Sequence, residues 1–157
     1  MVSRSESPLV RPGRVLRVLP EAEASALATA WIGVYGRQGY NMKAYLWHVF
    51  SGGGYECLQG KAALAAYAVR EAPEYLVLSN DRRFALATDA RPAEVDLSDA
   101  LVFPPNLAWT MAFTHEDGWL DGPFFATHRD VTRLDAANLA QIRKRQEIEA
   151  ARVKGWT

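Results

Sequence analysis

The stretch WTMAFTHEDGWLDGPFFATH, residues 109–128, decides the fold because it predicts a β-hairpin. Residues 107–115 alternate in size, which is the period-two pattern of a strand with two different faces. We expect the large side chains, such as Trp109 and Met111, to fill a core. The small ones, such as Thr110 and Ala112, would let another element approach. Residues 124–128 form the returning strand after a loop at 117–122.

Other segments add helices and strands before and after this hairpin. A helix is predicted to start at Pro20, which suits a first helical turn, and to end at Gly36. Thr132 and Asp135 resemble a capping box for a last helix. We predict further helices over 60–72 and 133–154, strands over 43–51 and 100–103, and a hairpin of 74–79 with 83–88. This order predicts an α+β fold with a largely antiparallel mixed sheet of about five to six strands and two or three packing helices.

Length and composition restrict the class of protein. The 157 residues fit one domain, which we assign to residues 19–157 after a flexible arm at 1–18. Lys plus Arg equals Asp plus Glu at 18 each, so the chain lacks the positive surplus that drives binding to nucleic acid. The single Cys57 predicts a reducing compartment, and no apolar run is long enough to span a membrane. We therefore expect a cytoplasmic protein that contacts neither nucleic acid nor membrane.

The three histidines raise the question of a metal site. The residue types that bind Zn²⁺ or Fe²⁺ are present as His48, His115, His128, Glu116, Asp117 and Asp121. If Glu116 pairs with Pro123 in the hairpin, His115 and His128 lie about 13 Å apart, at ~3.3 Å per residue. One ion cannot bridge that distance, so we expect no metal and no cofactor. His115 comes near His48 only if their strands are adjacent.

No catalytic or phosphate-binding motif is complete. Ser51 stands before three glycines but lacks the glycine two residues upstream that a nucleophile elbow requires. The glycines do not complete a phosphate-binding loop either, because no hydroxyl residue follows Lys61. We therefore predict no catalytic residue. An enzyme with metal-dependent or acid/base chemistry would have to use His48, His115 and Glu116.

The tip of the predicted hairpin carries the residues that we assign to binding. These are Glu116, Asp117, Trp119, Leu120 and Asp121. An indole beside a leucine with an acidic rim is typical of an anchor in a protein interface. The alternative is that the loop folds back and Trp119 caps the core. Trp119→Ala separates the two: losing an anchor abolishes association at an unchanged thermal midpoint, whereas losing a core residue lowers the midpoint strongly.

Three phrases of the chain are distinctive: LWHVFS at 46–51, ECLQGKA at 56–62, and WTMAFTHE at 109–116 followed by GPFF at 122–125. Over roughly residues 25–128 they resemble a small bacterial family catalogued as domain of unknown function 4275. That family has no assigned activity, so the resemblance implies no catalytic residues. Bacterial domains of this size and mixed architecture also include immunity proteins, which neutralise the toxins of competing cells. That likeness is an analogy of fold and size.

Taken together, these patterns favour a non-catalytic binding domain that contacts another protein through residues 116–122 and the neighbouring surface. Toxin neutralisation of the immunity kind is its most concrete version. The alternative is the enzyme that uses His48, His115 and Glu116. A third class, a nucleic-acid accessory protein, would use the arginines of 1–18 and 143–145 and would show steep salt dependence. The sequence leaves open whether the chain also forms a homo-oligomer.

Overall fold

A seven-stranded antiparallel sheet with helices on both faces dominates the computed structural model, which describes residues 10–39, 42–117 and 122–155. The elements are β1 (Val10–Arg11), β2 (Val15–Leu19), α1 (Glu21–Tyr35), α2 (His48–Ser51), β3 (Leu58–Gln59), α3 (Gly60–Ala68), β4 (Tyr75–Ser79), β5 (Ala85–Thr88), β6 (Glu94–Val95), β7 (Ala100–Phe103), β8 (Trp109–Phe113), β9 (Phe124–Thr127) and α4 (Val131–Val153). The sheet order is β2-β5-β4-β7-β8-β9-β3, and β1 pairs with β6 separately. The predicted α+β class with a largely antiparallel sheet is confirmed.

Alternation along the strands divides the core into two layers. On one face of the sheet, Trp31 and Tyr35 of α1 pack in a cluster with Leu78 and Phe103. On the other face, Tyr67 of α3 packs in a second cluster that includes Trp109. Because successive strand residues point to opposite faces, each central strand contributes to both layers. The central strands are therefore buried on both sides.

The alternation of large and small side chains in β8 works as predicted. Trp109 and Met111 lie in the layer beneath α3, where they are fully buried. On the opposite face, the small Thr110 lets α1 approach so closely that Trp31 Nε1 donates a hydrogen bond to Thr110 Oγ1 at 2.9 Å. This bond connects the first helix directly to the centre of the sheet.

The register predicted for the β8–β9 hairpin is wrong. The structure pairs Ala112 with Phe124, whereas pairing Glu116 with Pro123 would have placed Phe124 opposite His115, three residues further along. The strand ends early because the carboxylate of Asp117 accepts hydrogen bonds from the N–H and the hydroxyl of Thr114, at 3.0 and 2.8 Å. A turn therefore replaces the last predicted pairs of the ladder.

The strand predicted over residues 43–51 is also wrong. Residues 48–51 form α2, a helix of one turn, and the segment before it is a turn. Leu46, Trp47, Val49 and Phe50 are all buried in the layer beneath α1. A short run that is apolar on every side fits a buried helical turn as well as a central strand, so periodicity alone did not separate the two.

Two boundaries and one helix cap also differ from the prediction. Residues 10–18, assigned to a flexible arm, contribute to β1 and β2, which pair with β6 and β5; residues 1–9 lie outside the described part. Helix α3 ends at Ala68 instead of 72. No side chain caps the start of α4. Asp135, predicted to complete a capping box, instead forms an ion pair with Arg70, two residues after the end of α3. Among the described residues, no helix has both the length and the apolar character to cross a bilayer.

Candidate functional site

Asn80, in the turn between β4 and β5, binds the backbone of residues 44–46, which lead into the candidate site. Its Oδ1 accepts a hydrogen bond from Leu46 N–H at 3.0 Å, and its Nδ2 donates to the carbonyl of Ala44 at 2.6 Å. Arg82 adds a hydrogen bond to the carbonyl of Met42 at 3.1 Å. These contacts fix residues 42–46 against the sheet and so determine where Tyr45 and Trp47 lie.

Five side chains then form what we call the imidazole cluster: Tyr45, Trp47, His48, Asp99 and His115. The Tyr45 ring stacks on Trp47 at 5.1 Å between centroids, and it contacts both imidazoles, His48 at 5.2 Å and His115 at 5.0 Å. Trp47 also packs edge-on against His48 at 4.8 Å. Aromatic contacts at such distances contribute about 0.5–1.5 kcal/mol beyond simple burial. The two imidazoles therefore pack against a common aromatic ring, that of Tyr45.

Asp99 is the hydrogen-bonding centre of the cluster. Only 9% of its side chain is exposed. Its carboxylate accepts hydrogen bonds from Trp47 Nε1 at 2.9 Å and from the backbone N–H of His115 at 3.2 Å. It also contacts His115 Nδ1 at 3.0 Å. Because a carboxylate can only accept, Nδ1 carries a proton and Nε2 is turned away from Asp99.

The charges around His115 favour its protonated form. The hydrogen bond to Asp99 raises the pKa of His115 above its usual value, and the nearby carboxylates of Glu116 and Asp117 raise it further. Glu116 Oε1 lies 3.7 Å from His115 Nε2. Burial raises the pKa of Asp117, against the opposing effect of its hydrogen bonds from Thr114. The result is an imidazole surrounded by acidic groups.

The structure brings together three of the residues singled out from the sequence. His48 and His115 share the Tyr45 ring, and Glu116 adjoins His115. Asp117 is close by, but its oxygens bind Thr114 within the turn. The assigned binding residues Trp119, Leu120 and Asp121 lie outside the described residues.

His128 lies at the far end of the same hairpin. Its N–H donates to the carbonyl of Ala108, just before β8, whereas His115 follows the end of β8. The five residues of β8 between them span roughly 17 Å at ~3.3 Å per residue. Across residues 10–39, 42–117 and 122–155, no three histidine, cysteine or acidic side chains form a group that could hold a metal ion.

Reasoning from sequence missed Asp99, Tyr45 and Trp47 as partners of the imidazoles. The only signal for Asp99 is the register of the β7–β8 ladder, which the sequence did not predict. The pairing of Ala100 with Phe113 in the β7–β8 ladder, continued by one residue, brings Asp99 beside residue 114 and so next to His115. Tyr45 and Trp47 gave no such signal, because the strand assumed over 43–51 pointed them to the face opposite His48.

A family model described as "Domain of unknown function (DUF4275)" matches residues 25–125, which include the whole imidazole cluster. No curated protein and no solved structure matches the chain.

Proposed function

We propose that this chain, which belongs to the DUF4275 family, is a non-catalytic binding domain that docks another protein on the imidazole cluster and the adjoining residues 116–121. The observation that carries the proposal is the fixed position of His115, between Asp99 and the Tyr45 ring, just before these residues in the sequence. A cytoplasmic location belongs to the proposal, since Cys57 is a free thiol.

Pre-organisation supports a role in binding. His115 is 38% exposed, yet its backbone and ring both contact Asp99 and its ring packs on Tyr45. Ordering a side chain on association costs about 0.5–1.5 kcal/mol, so side chains already held in place improve affinity. An exposed group that is fixed so thoroughly suits a contact surface.

Charge indicates the chemistry of the partner. The carboxylates of Asp99, Glu116 and Asp117 all act on His115, and Asp121 follows in the sequence. An acidic patch of this kind is complementary to a basic surface on the other protein. A toxin that acts on nucleic acid carries such a surface, so neutralisation of the immunity kind is the most concrete form of the proposal.

Site-specific photo-crosslinking in the producing cell tests this proposal. A photoreactive amino acid replaces Glu116 in one variant and Glu147, an exposed residue of α4, in the matched control. We expect one discrete protein adduct from position 116 and none of that mass from position 147. The absence of an adduct at 116, or the same adduct from both positions, would contradict the proposal.

The second candidate is acid/base or metal-dependent catalysis by His48, His115 and Glu116. It is favoured by one observation, the contact between Asp99 and His115 Nδ1, because a carboxylate in that position orients a catalytic imidazole. Elemental analysis of the purified protein examines the metal-dependent form. About one equivalent of bound metal that His115→Ala removes would favour catalysis over protein binding.

A further inference from the structure

A cleft of about 560 Å³ opens at the end of the β8–β9 hairpin away from the imidazole cluster. Its walls come from Arg37, two residues after α1, from the segment 54–58 that leads into β3, from α3 and the residues just after it, and from β9 with its connection to α4. We call it the arginine cleft. The lining side chains that can bind a ligand through charge, hydrogen bonds or the thiol are Arg37, Tyr55, Cys57, Arg70, His128 and Arg129. A volume of this size suits a small organic ligand.

Positive charge prevails in this cleft. Three arginines line it, and Glu56 is the one carboxylate among its described lining residues. Arg70 is ion-paired with Asp135. Within residues 10–39, 42–117 and 122–155, by contrast, neither Arg37 nor Arg129 has an ion-pair partner. Two guanidinium groups are therefore available to an anion.

Arg37 is held in position without being neutralised. Its Nη1 donates a hydrogen bond to the carbonyl of Gly36 at 2.8 Å, and its guanidinium lies over the Tyr55 ring, 4.8 Å from the centroid. Tyr55 is itself fixed, because its hydroxyl donates to the carbonyl of Thr127 at 2.6 Å. The guanidinium thus keeps its full charge and its remaining donors.

His128 adds a directed donor to the same cleft. The backbone N–H of Asp130 donates to His128 Nδ1 at 2.9 Å, so that nitrogen is an acceptor and the ring proton is on Nε2. Helix α4 begins beside it at Val131, which also lines the cleft, and its first turn contains no acidic residue. The positive end of the helix dipole adds to the field of the arginines, while the carboxylate of the preceding Asp130, 3.9 Å from His128 Nδ1, is ion-paired with Arg133.

Cys57 does not turn this cleft into a site for nucleophilic chemistry. Burial raises the pKa of its thiol above the usual value, which leaves it protonated and weakly nucleophilic. Next to it, Leu58 and Ala66 give the cleft an apolar wall. The lining therefore combines fixed cations with a surface for a hydrophobic group.

We propose that the arginine cleft binds a small organic phosphate, with the phosphate at Arg37, Arg129 and His128 and its apolar portion against Leu58. Planar guanidinium groups bind phosphate through paired hydrogen bonds, which favours that anion over a simple halide. The cleft and the imidazole cluster lie at opposite ends of the hairpin, so this binding is independent of the protein contact proposed above.

Titration with phenyl phosphate, followed by ¹⁵N NMR at constant ionic strength, tests the assignment. We expect saturable shifts of the amides at 128–131 and weaker binding of inorganic phosphate, which lacks the ring. The double variant Arg37→Gln/Arg129→Gln should bind phenyl phosphate at least about tenfold more weakly. Arg143→Gln, at an exposed position of α4 outside the cleft, is the matched control and should bind normally.

Four results would overturn the proposal. They are shifts that do not saturate, shifts that chloride reproduces at the same ionic strength, equal affinity for benzoate, and an equal loss of affinity in Arg143→Gln. Because Arg37 and Arg129 are exposed, the double variant should keep the wild-type thermal midpoint. A wild-type amide spectrum of that variant away from the cleft verifies that lost affinity reflects the missing cations.

Discussion

At the scale of single residues, the buried hydrogen bond from Trp31 Nε1 to Thr110 Oγ1 can be tested directly by substitution. Thr110→Val keeps the shape of the side chain but removes the acceptor, which leaves the indole N–H unpaired inside the core. We expect the free energy of unfolding to fall by about 1–3 kcal/mol in urea denaturation. Thr110→Ser retains the hydroxyl, so its free energy of unfolding should fall less. An equal fall in both variants would show that packing, and not the hydrogen bond, accounts for the lost stability.

Because His115 is paired with Asp99, we expect the stability of the fold to depend on pH. Because the folded state raises the pKa of His115, the protonated ring stabilises the fold. That stabilisation is fully present below the unfolded pKa of about 6.5 and is lost as the pH rises through the higher folded value. NMR titration should give a lower pKa for His115 in Asp99→Asn than in the wild type. Glu116→Gln, whose charge acts at a longer distance, should lower it less. An unchanged pKa in Asp99→Asn would rule out the pairing.

Part of the candidate site was predictable from single residues and part was not. His48, His115 and Glu116 stood out because imidazole and carboxylate are rare and chemically distinctive. Asp99, although it is the centre of the hydrogen bonds, lies sixteen residues before His115 and meets it only through the β7–β8 pairing. The cations of the arginine cleft come from separate parts of the chain, so no local pattern indicated them.

At the scale of elements, boundaries marked by strong local signals were predicted well. The strand at 100–103 was placed correctly, because four apolar residues stand between Asp99 and two prolines. The hairpin of β4 and β5 was also found. Two other elements were not: α2 depends on tertiary burial beneath α1, and β8 ends where Asp117 binds Thr114 in a local turn. Those contacts join residues whose pairing a periodic pattern does not encode.

We predict that the fold tolerates removal of the second half of α4. Residues 143–155 are exposed throughout, while the first half of the helix contributes Leu134 to the core and buries Asn138. Ending the chain after Arg145 keeps the hydrogen bond from that residue to the carbonyl of Pro73. We expect a loss of about 1 kcal/mol or less. Leu134→Ala should cost more, about 2 kcal/mol. A thermal midpoint that fell further on truncation than in Leu134→Ala would contradict this account of the helix.

At the scale of the whole molecule, the β8–β9 hairpin separates two chemically different surfaces. An acidic surface containing fixed aromatic rings and imidazoles follows β8, and a basic cleft follows β9. The net charge of zero is therefore an average of opposed local fields. This explains why composition, which argued only against nucleic acid, did not indicate that the structure contains a distinct region of each sign.

The dissociation constant of the partner captured at position 116 tests the central claim most directly. It is measured for the wild type, for Glu116→Lys and for the matched charge reversal Glu147→Lys on α4. We predict that Glu116→Lys weakens binding about tenfold or more, because it reverses the charge beside His115, and that Glu147→Lys leaves it unchanged. Wild-type affinity in Glu116→Lys, or an equal loss in both variants, would contradict docking on the imidazole cluster.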